Sequence, residues 1–175
     1  MKYEKSRSKS VCGFSCYGCP CGYYTDPRKE CRCTPPQIMK YMNKISGPLL
    51  DRIDIHIEVP PVNPSFKGHA NGETSDKIRE RVNRARDIQT ERFKDDDIHS
   101  NAHMENRHIK KYCNPLLEAE KLLDLAMKEL NLSARAYHRI LKVGRTIADL
   151  AGEKAILPEH ISEAVQYRAL DRLEW

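Results

Sequence analysis

Apolar residues recur with a helical period through the second half of the chain. After Asn114-Pro115, the residues Ala119, Leu122, Leu123, Ala126 and Leu130 stand at i, i+3, i+4, i+7 and i+11, a stripe that can bury one face of a helix. Ser133 is placed to cap the next helix, where Tyr137, Ile140, Leu141, Gly144, Ile147, Ala148 and Ala151 repeat the spacing until Gly152 stops it. Pro158 opens a last helix with Ile161, Ala164, Val165 and Ala169 inward. Upstream, Ser75 is the expected cap of a helix that turns Ile78, Val82, Ala85 and Phe93 inward and Arg79, Arg81, Arg84, Arg86 and Arg92 largely outward. The stretch between Lys94 and Cys113 reads as a loop with one short helix. Four principal helices with short connections predict a small antiparallel bundle, so the fold class is mainly α.

The front of the chain has other periods. Residues 1–18 show none and mix Lys, Ser and Gly, the composition of a disordered leader. Cys19 to Cys33 is rich in turn residues. Thr34 then caps a helix that begins at Pro35, carries Ile38, Met39, Tyr41, Met42 and Ile45, and ends at Gly47-Pro48. In "IDIHIEV", Ile53, Ile55, Ile57 and Val59 alternate with Asp54, His56 and Glu58, which predicts a strand with one buried face. One strand cannot satisfy its own backbone, so this strand is an orphan whose partners lie elsewhere. Residues 61–74, with Pro, Asn and Gly, read as a linker. The expected organisation is a leader (1–18), a Cys-rich and strand-bearing segment (19–60), the linker (61–74) and a helical domain (75–175).

Charge and cysteine content alter this picture. The chain has 175 residues and a net charge of +5, but residues 1–50 hold nine Lys/Arg against three Asp/Glu, leaving 21 against 22 for the rest. Basicity thus belongs to the front, where it suits contact with nucleic acid or simply solvates a tail. No apolar run is long enough for a membrane span or a signal peptide, and a cytoplasmic setting is the default. Six of the seven cysteines fall between Cys12 and Cys33, and reduced thiols at that density point to metal rather than to disulfides. Cys19 and Cys21, then Cys31 and Cys33, form two CxC pairs nine residues apart, enough for a tetrahedral Zn²⁺. Four reduced thiols on a loop are the plain alternative. Cys12 and Cys16 are poorer ligands, and His99, His103 and His108 read as ordinary surface histidines. There is no GxxxxGK[ST] loop and no nucleophile-base arrangement.

Four stretches in order, "CPCGYYTDPRKECRC", "ISGPLLDRIDIHIEVP", "LSARAYHRILKVGRTIADLAG" and "HISEAVQYRALDR", resemble the C-terminal part of the Mg-chelatase-like AAA+ ATPases of the competence-protein ComM type. The resemblance runs from Cys19 to Trp175, whereas residues 1–18 resemble nothing in the family. It implies a ring, hexameric in the complete protein, that uses ATP and Mg²⁺ and acts on DNA as a branch-migrating helicase in uptake and recombination. It further implies that the helical domain is the lid of the ATPase, that Arg52 is its arginine finger and that Arg135 is its nucleotide-sensing arginine. Arg52 otherwise has a local use, pairing with Asp51 or Asp54 for about 0 to 1 kcal/mol. Arg135 sits close to a helix N-terminus, which favours anions over cations, and so suits a role outside its own helix. The family's Walker motifs are missing, and Tyr17-Gly18 replace its usual Asn-Pro, which implies a chain inactive on its own. Two rival identities stand beside this one: a stand-alone zinc-containing nucleic-acid-binding module, and a subunit of magnesium chelatase proper.

Overall fold

The computed structural model describes residues 18–24, 26, 28–44, 47–50, 52–57, 59 and 72–168. They comprise helices α1 (Pro35–Met42), α2 (Gly47–Leu50), α3 (Ser75–Arg92), α4 (Asn106–Tyr112), α5 (Leu117–Glu129), α6 (Ala134–Ala151) and α7 (Pro158–Gln166), with a 3₁₀ turn at Asn101–His103. Two compact units result. One contains residues 1–47 and 59–62, the other residues 48–58 and 63–174. The expected leader and most of the expected linker, with Cys12, Cys16 and Ala169, lie outside the described residues.

In the second unit α6 is central, with α7, α3, α4 and the 3₁₀ turn packed around it and α5 packed on α7. The sequence stripes supply the core: Ala119 and Leu123 of α5, Ile140, Leu141 and Ala148 of α6, and Ile161, Ala164 and Val165 of α7 are all buried. Ser133 caps α6 as expected, its hydroxyl accepting from the Ala136 amide at 3.1 Å. Gly152, at φ +79°, ends α6 in a left-handed conformation that costs glycine little. Asn131, at φ 45°, closes α5 in the same region, which a short polar side chain tolerates.

Four expectations fail. The described residues 53–57 and 59 form no strand, and among the described residues the β contact is an isolated parallel bridge between Pro115 and Ile156. The expected inward face is not buried either: His56 is 6% exposed, whereas Ile57 is 68% and Val59 81% exposed. The cause is a long-range anchor, since the His56 amide donates to Tyr167 O at 2.7 Å and turns that edge toward α7. Helix α3 starts at Ser75 with Thr74 as its cap residue, and Ile78 and Val82 remain about two-fifths exposed because only the end of α3, through Ala85, Gln89 and Phe93, reaches the core. Gly47-Pro48 opens the turn α2 rather than ending α1, which stops at Met42. Finally, His108 is not a surface histidine: it is 2% exposed, and its Nδ1 accepts from the Glu105 amide at 3.1 Å, closing the first turn of α4.

A buried charge network ties α3 to α6. The Asp149 carboxylate, fully buried, accepts from Arg92 Nη1 at 2.7 Å, from Arg145 Nε at 3.1 Å and from Asn101 Nδ2 at 2.8 Å. Arg145, 3% exposed, spends its remaining donors on Lys154 O at 2.7 Å and Glu153 O at 2.5 Å. Nearby, burial pushes the Cys113 thiol from 9.0 up to about 12. A raised thiol pKa stabilises the fold fully below pH 9, and that contribution is lost as pH climbs toward 12, because the unfolded thiol ionises first. The unfolding free energy from urea titrations between pH 8.5 and 10.5 should therefore fall more steeply for the native chain than for Cys113→Ala, by up to about 1.4 kcal/mol per pH unit.

Candidate functional site

Arg52 follows α2 directly, its amide donating to Leu49 O at 3.0 Å. The backbone beyond it is pinned by Arg168, a fully buried residue (1% exposed) whose Nη1 donates to Ile53 O at 2.5 Å. Together with the bond from His56 to Tyr167, this fixes the direction in which the Arg52 segment leaves α2. Arg168 thus holds the backbone next to Arg52, a contact that its sequence context did not disclose.

Arg52 then lines a cleft of about 430 Å³ with Asp54, Ala102, Met104, Asn106, Ile109 and four residues of α6, namely Arg135, His138, Arg139 and Lys142. The structure thus brings the two arginines singled out by resemblance to one place. The α6 residues stand at i, i+3, i+4 and i+7, one face of the helix, so any phosphate entering the cleft meets a row of donors rather than a single one. Arg139 is ion-paired with Asp54. Lys142 Nζ reaches Ala102 O at 3.3 Å, and burial, then the Arg139 charge, press its pKa below the ordinary lysine value. Among the described residues, the lining carries Arg52, Arg135, Arg139 and Lys142 against one carboxylate, Asp54, and holds no nucleophile-base pair.

In the other unit, the four cysteines of the CxC pairs converge. Their Sγ atoms all lie within 4.8 Å of one another, with Cys19 and Cys21 at 3.3 Å and Cys31 at 3.6 Å from each of these two. Gly22, at φ +80°, makes the left-handed turn that lets the chain double back after Cys21. The Tyr23 amide, then the Cys19 thiol, lower the Cys21 pKa from 9.0 to about 6. No histidine joins the cluster among the described residues.

Two sequence families match the chain in succession. The model described as "Magnesium chelatase, subunit ChlI" covers residues 8–66, and the one described as "Magnesium chelatase, subunit ChlI C-terminal" covers residues 72–168. The second alone takes more than half of the chain, which therefore belongs to the Mg-chelatase-like family. Among its relatives, the chain is 45% identical over 156 residues to Competence protein ComM of Haemophilus influenzae, and 42% and 39% identical to the uncharacterized proteins YifB of Salmonella typhimurium and Escherichia coli. Each match covers 88% of this chain and 30% of the relative, so the chain spans less than a third of these proteins. The family match starts at residue 8, which corrects the expectation that residues 1–18 resemble nothing in the family. No helix among the described residues is long and apolar enough to cross a membrane.

His138, Arg139 and Lys142 escaped the sequence reading. Residues 51–175 are nearly neutral as a whole, which masks this local row of basic side chains. Their period in "RAYHRILK", set against the apolar stripe of the same helix, is the pattern that could have found them.

Proposed function

We propose that this chain serves as the C-terminal part of a ring-forming AAA+ ATPase, in which Arg52 is the arginine finger and Arg135 the nucleotide-sensing arginine. The observation that carries it is the cleft that both arginines line. A guanidinium placed against a γ-phosphate offsets the charge that develops during phosphoryl transfer. The nucleotide, with its Mg²⁺, is held by the Walker motifs of the adjoining subunit in the complete protein, while the helices of this chain form the lid. Arg135, fixed to α6, reports the state of that nucleotide by moving with the lid. The ring is hexameric, works in the cytoplasm and couples hydrolysis to remodelling DNA, as ComM-type proteins are expected to do in branch migration. The family resemblance and the order of the four motifs support this. The magnesium-chelatase subunit ranks below it, because the "QYRALDR" ending and the cysteine pairs look like the ComM branch.

The isolated chain lacks a phosphate loop and should neither bind ATP tightly nor hydrolyse it. Isothermal titration with Mg²⁺-ATP tests this, and tight binding would sink the proposal. Weak binding of inorganic triphosphate at low salt is the expected residual property of the cleft. Removing its carboxylate by Asp54→Asn should tighten that binding about two- to five-fold, whereas Lys142→Ala should weaken it by a similar factor. Opposite signs from two neutralising substitutions distinguish an anion site from a structural ion pair.

A further inference from the structure

The cysteine cluster lies in a segment with almost no core. Among described residues 18–44, Cys19 is the one buried residue, at 1% exposure, and α1 buries none of its side chains. Chain segments of this kind are ordinarily held by a metal or by disulfides. The sulfur geometry selects between them. A tetrahedron with Zn–S bonds of about 2.3 Å has S–S edges of about 3.8 Å, and the 3.3 to 3.6 Å separations here sit just inside that figure, as four converging sulfurs do before an ion spreads them. A disulfide would bring two sulfurs to about 2.05 Å, whereas all four cysteines are free, with separations of 3.3 to 3.6 Å among Cys19, Cys21 and Cys31 and all four within 4.8 Å.

The surroundings also suit four thiolates. The Gly22 amide donates to Cys19 O at 3.2 Å, a turn that brings Cys21 back beside Cys19. Four thiolates around a divalent ion leave a charge of −2, and Lys29 and Arg32 stand in the same loop to offset it, whereas Arg28 is paired with Asp26 at 3.1 Å. Lys29 Nζ lies 4.0 Å over the Tyr23 ring, which keeps one of these cations beside the cluster.

We propose that Cys19, Cys21, Cys31 and Cys33 hold one Zn²⁺ in a closed four-thiolate site, and that this ion stands in for the hydrophobic core that residues 19–33 lack. Four Zn–S bonds form, and each thiol still protonated gives its proton to solvent. All four positions are taken by protein sulfur, so the centre has no open coordination site for a water or substrate and its role is structural. It is independent of the ATPase assignment, and neither stands or falls with the other.

The test uses the whole 175-residue chain, produced in medium supplied with both zinc and iron and purified without chelator. Metal analysis should find about one Zn²⁺ per chain. The Cys33→Ser variant should lose most of it, whereas Cys12→Ser/Cys16→Ser and Cys113→Ser should keep it. Where Cys33→Ser fails to fold, Co²⁺ added to the reduced, metal-free native chain should give the intense visible bands of a tetrahedral thiolate centre. Hydrogen exchange should show residues 19–33 losing protection on metal removal while α5, α6 and α7 keep theirs. An iron-containing product, a metal-free chain that remains protected over residues 19–33, or loss of zinc from the Cys12/Cys16 variant would overturn the proposal.

Discussion

Replacing Arg52 by alanine should lower kcat for ATP hydrolysis about 10³-fold in a complete ring that carries this segment, with little change in KM. That ratio corresponds to about 4 kcal/mol of transition-state stabilisation. Arg52 is exposed and lines a cleft, so its removal costs the fold little, while the bonds from Arg168 to Ile53 O and from the His56 amide to Tyr167 O hold the backbone just after it. Lysine should restore little, because a point charge on a flexible stem cannot match the planar fork of a guanidinium. Arg168→Leu should act through Arg52: kcat falls with KM nearly constant, and the double variant with Arg52→Ala is no worse than Arg52→Ala alone. A purely structural Arg168 would instead lower the urea midpoint and leave the kcat of the folded fraction intact. The complete ring can be assembled by joining this chain's segment to the remaining part of a ComM relative.

The largest loss of stability is expected from Asp149→Ala. It leaves Arg145, 3% exposed, with an uncompensated buried charge, and Arg92 and Asn101 with donors facing a void. Breaking a buried pair in this way costs about 3 to 5 kcal/mol, far more than the net worth of the pair. Arg92→Ala should cost less, because Arg92 is partly exposed and Asp149 keeps the Arg145 partner. Urea denaturation of the three proteins reads this order directly. If Asp149→Ala proves no worse than Arg92→Ala, the network is not the clamp between α3 and α6 that its geometry describes.

The sequence disclosed the helices of the second unit well because they obey one rule. Leu123, Ile140, Ile161 and their neighbours repeat with a period that only burial of one face explains, and Ser133 and Gly152 mark where α6 begins and ends. It failed where a long-range contact decides. The alternation of Ile53, Ile55 and Ile57 carries no information about Tyr167 and Arg168, more than a hundred residues away, yet these set which edge of the segment turns inward. Ile78 and Val82 fit a helical stripe, but periodicity cannot state how far along α3 the core extends. His108 follows the same rule, since a stretch that is polar by sequence forms the helix α4 with His108 on its buried side. Arg52 and Arg135 were legible only through resemblance to a family. The company they keep on α6 was written in the sequence and is recognisable once the helix is known to face a cleft.

The central claim, that Arg52 acts on the nucleotide of an adjoining subunit, is tested most directly by mixing inactive rings. One preparation carries Arg52→Ala with an intact phosphate loop, the other an intact Arg52 with its phosphate-loop lysine removed in the grafted ATPase part. Each alone should hydrolyse ATP at a residual rate. After dissociation and reassembly together, interfaces that join an intact loop to an intact arginine should restore a substantial share of activity. A mixture that stays as inactive as its parents, under conditions where the subunits exchange, would contradict it.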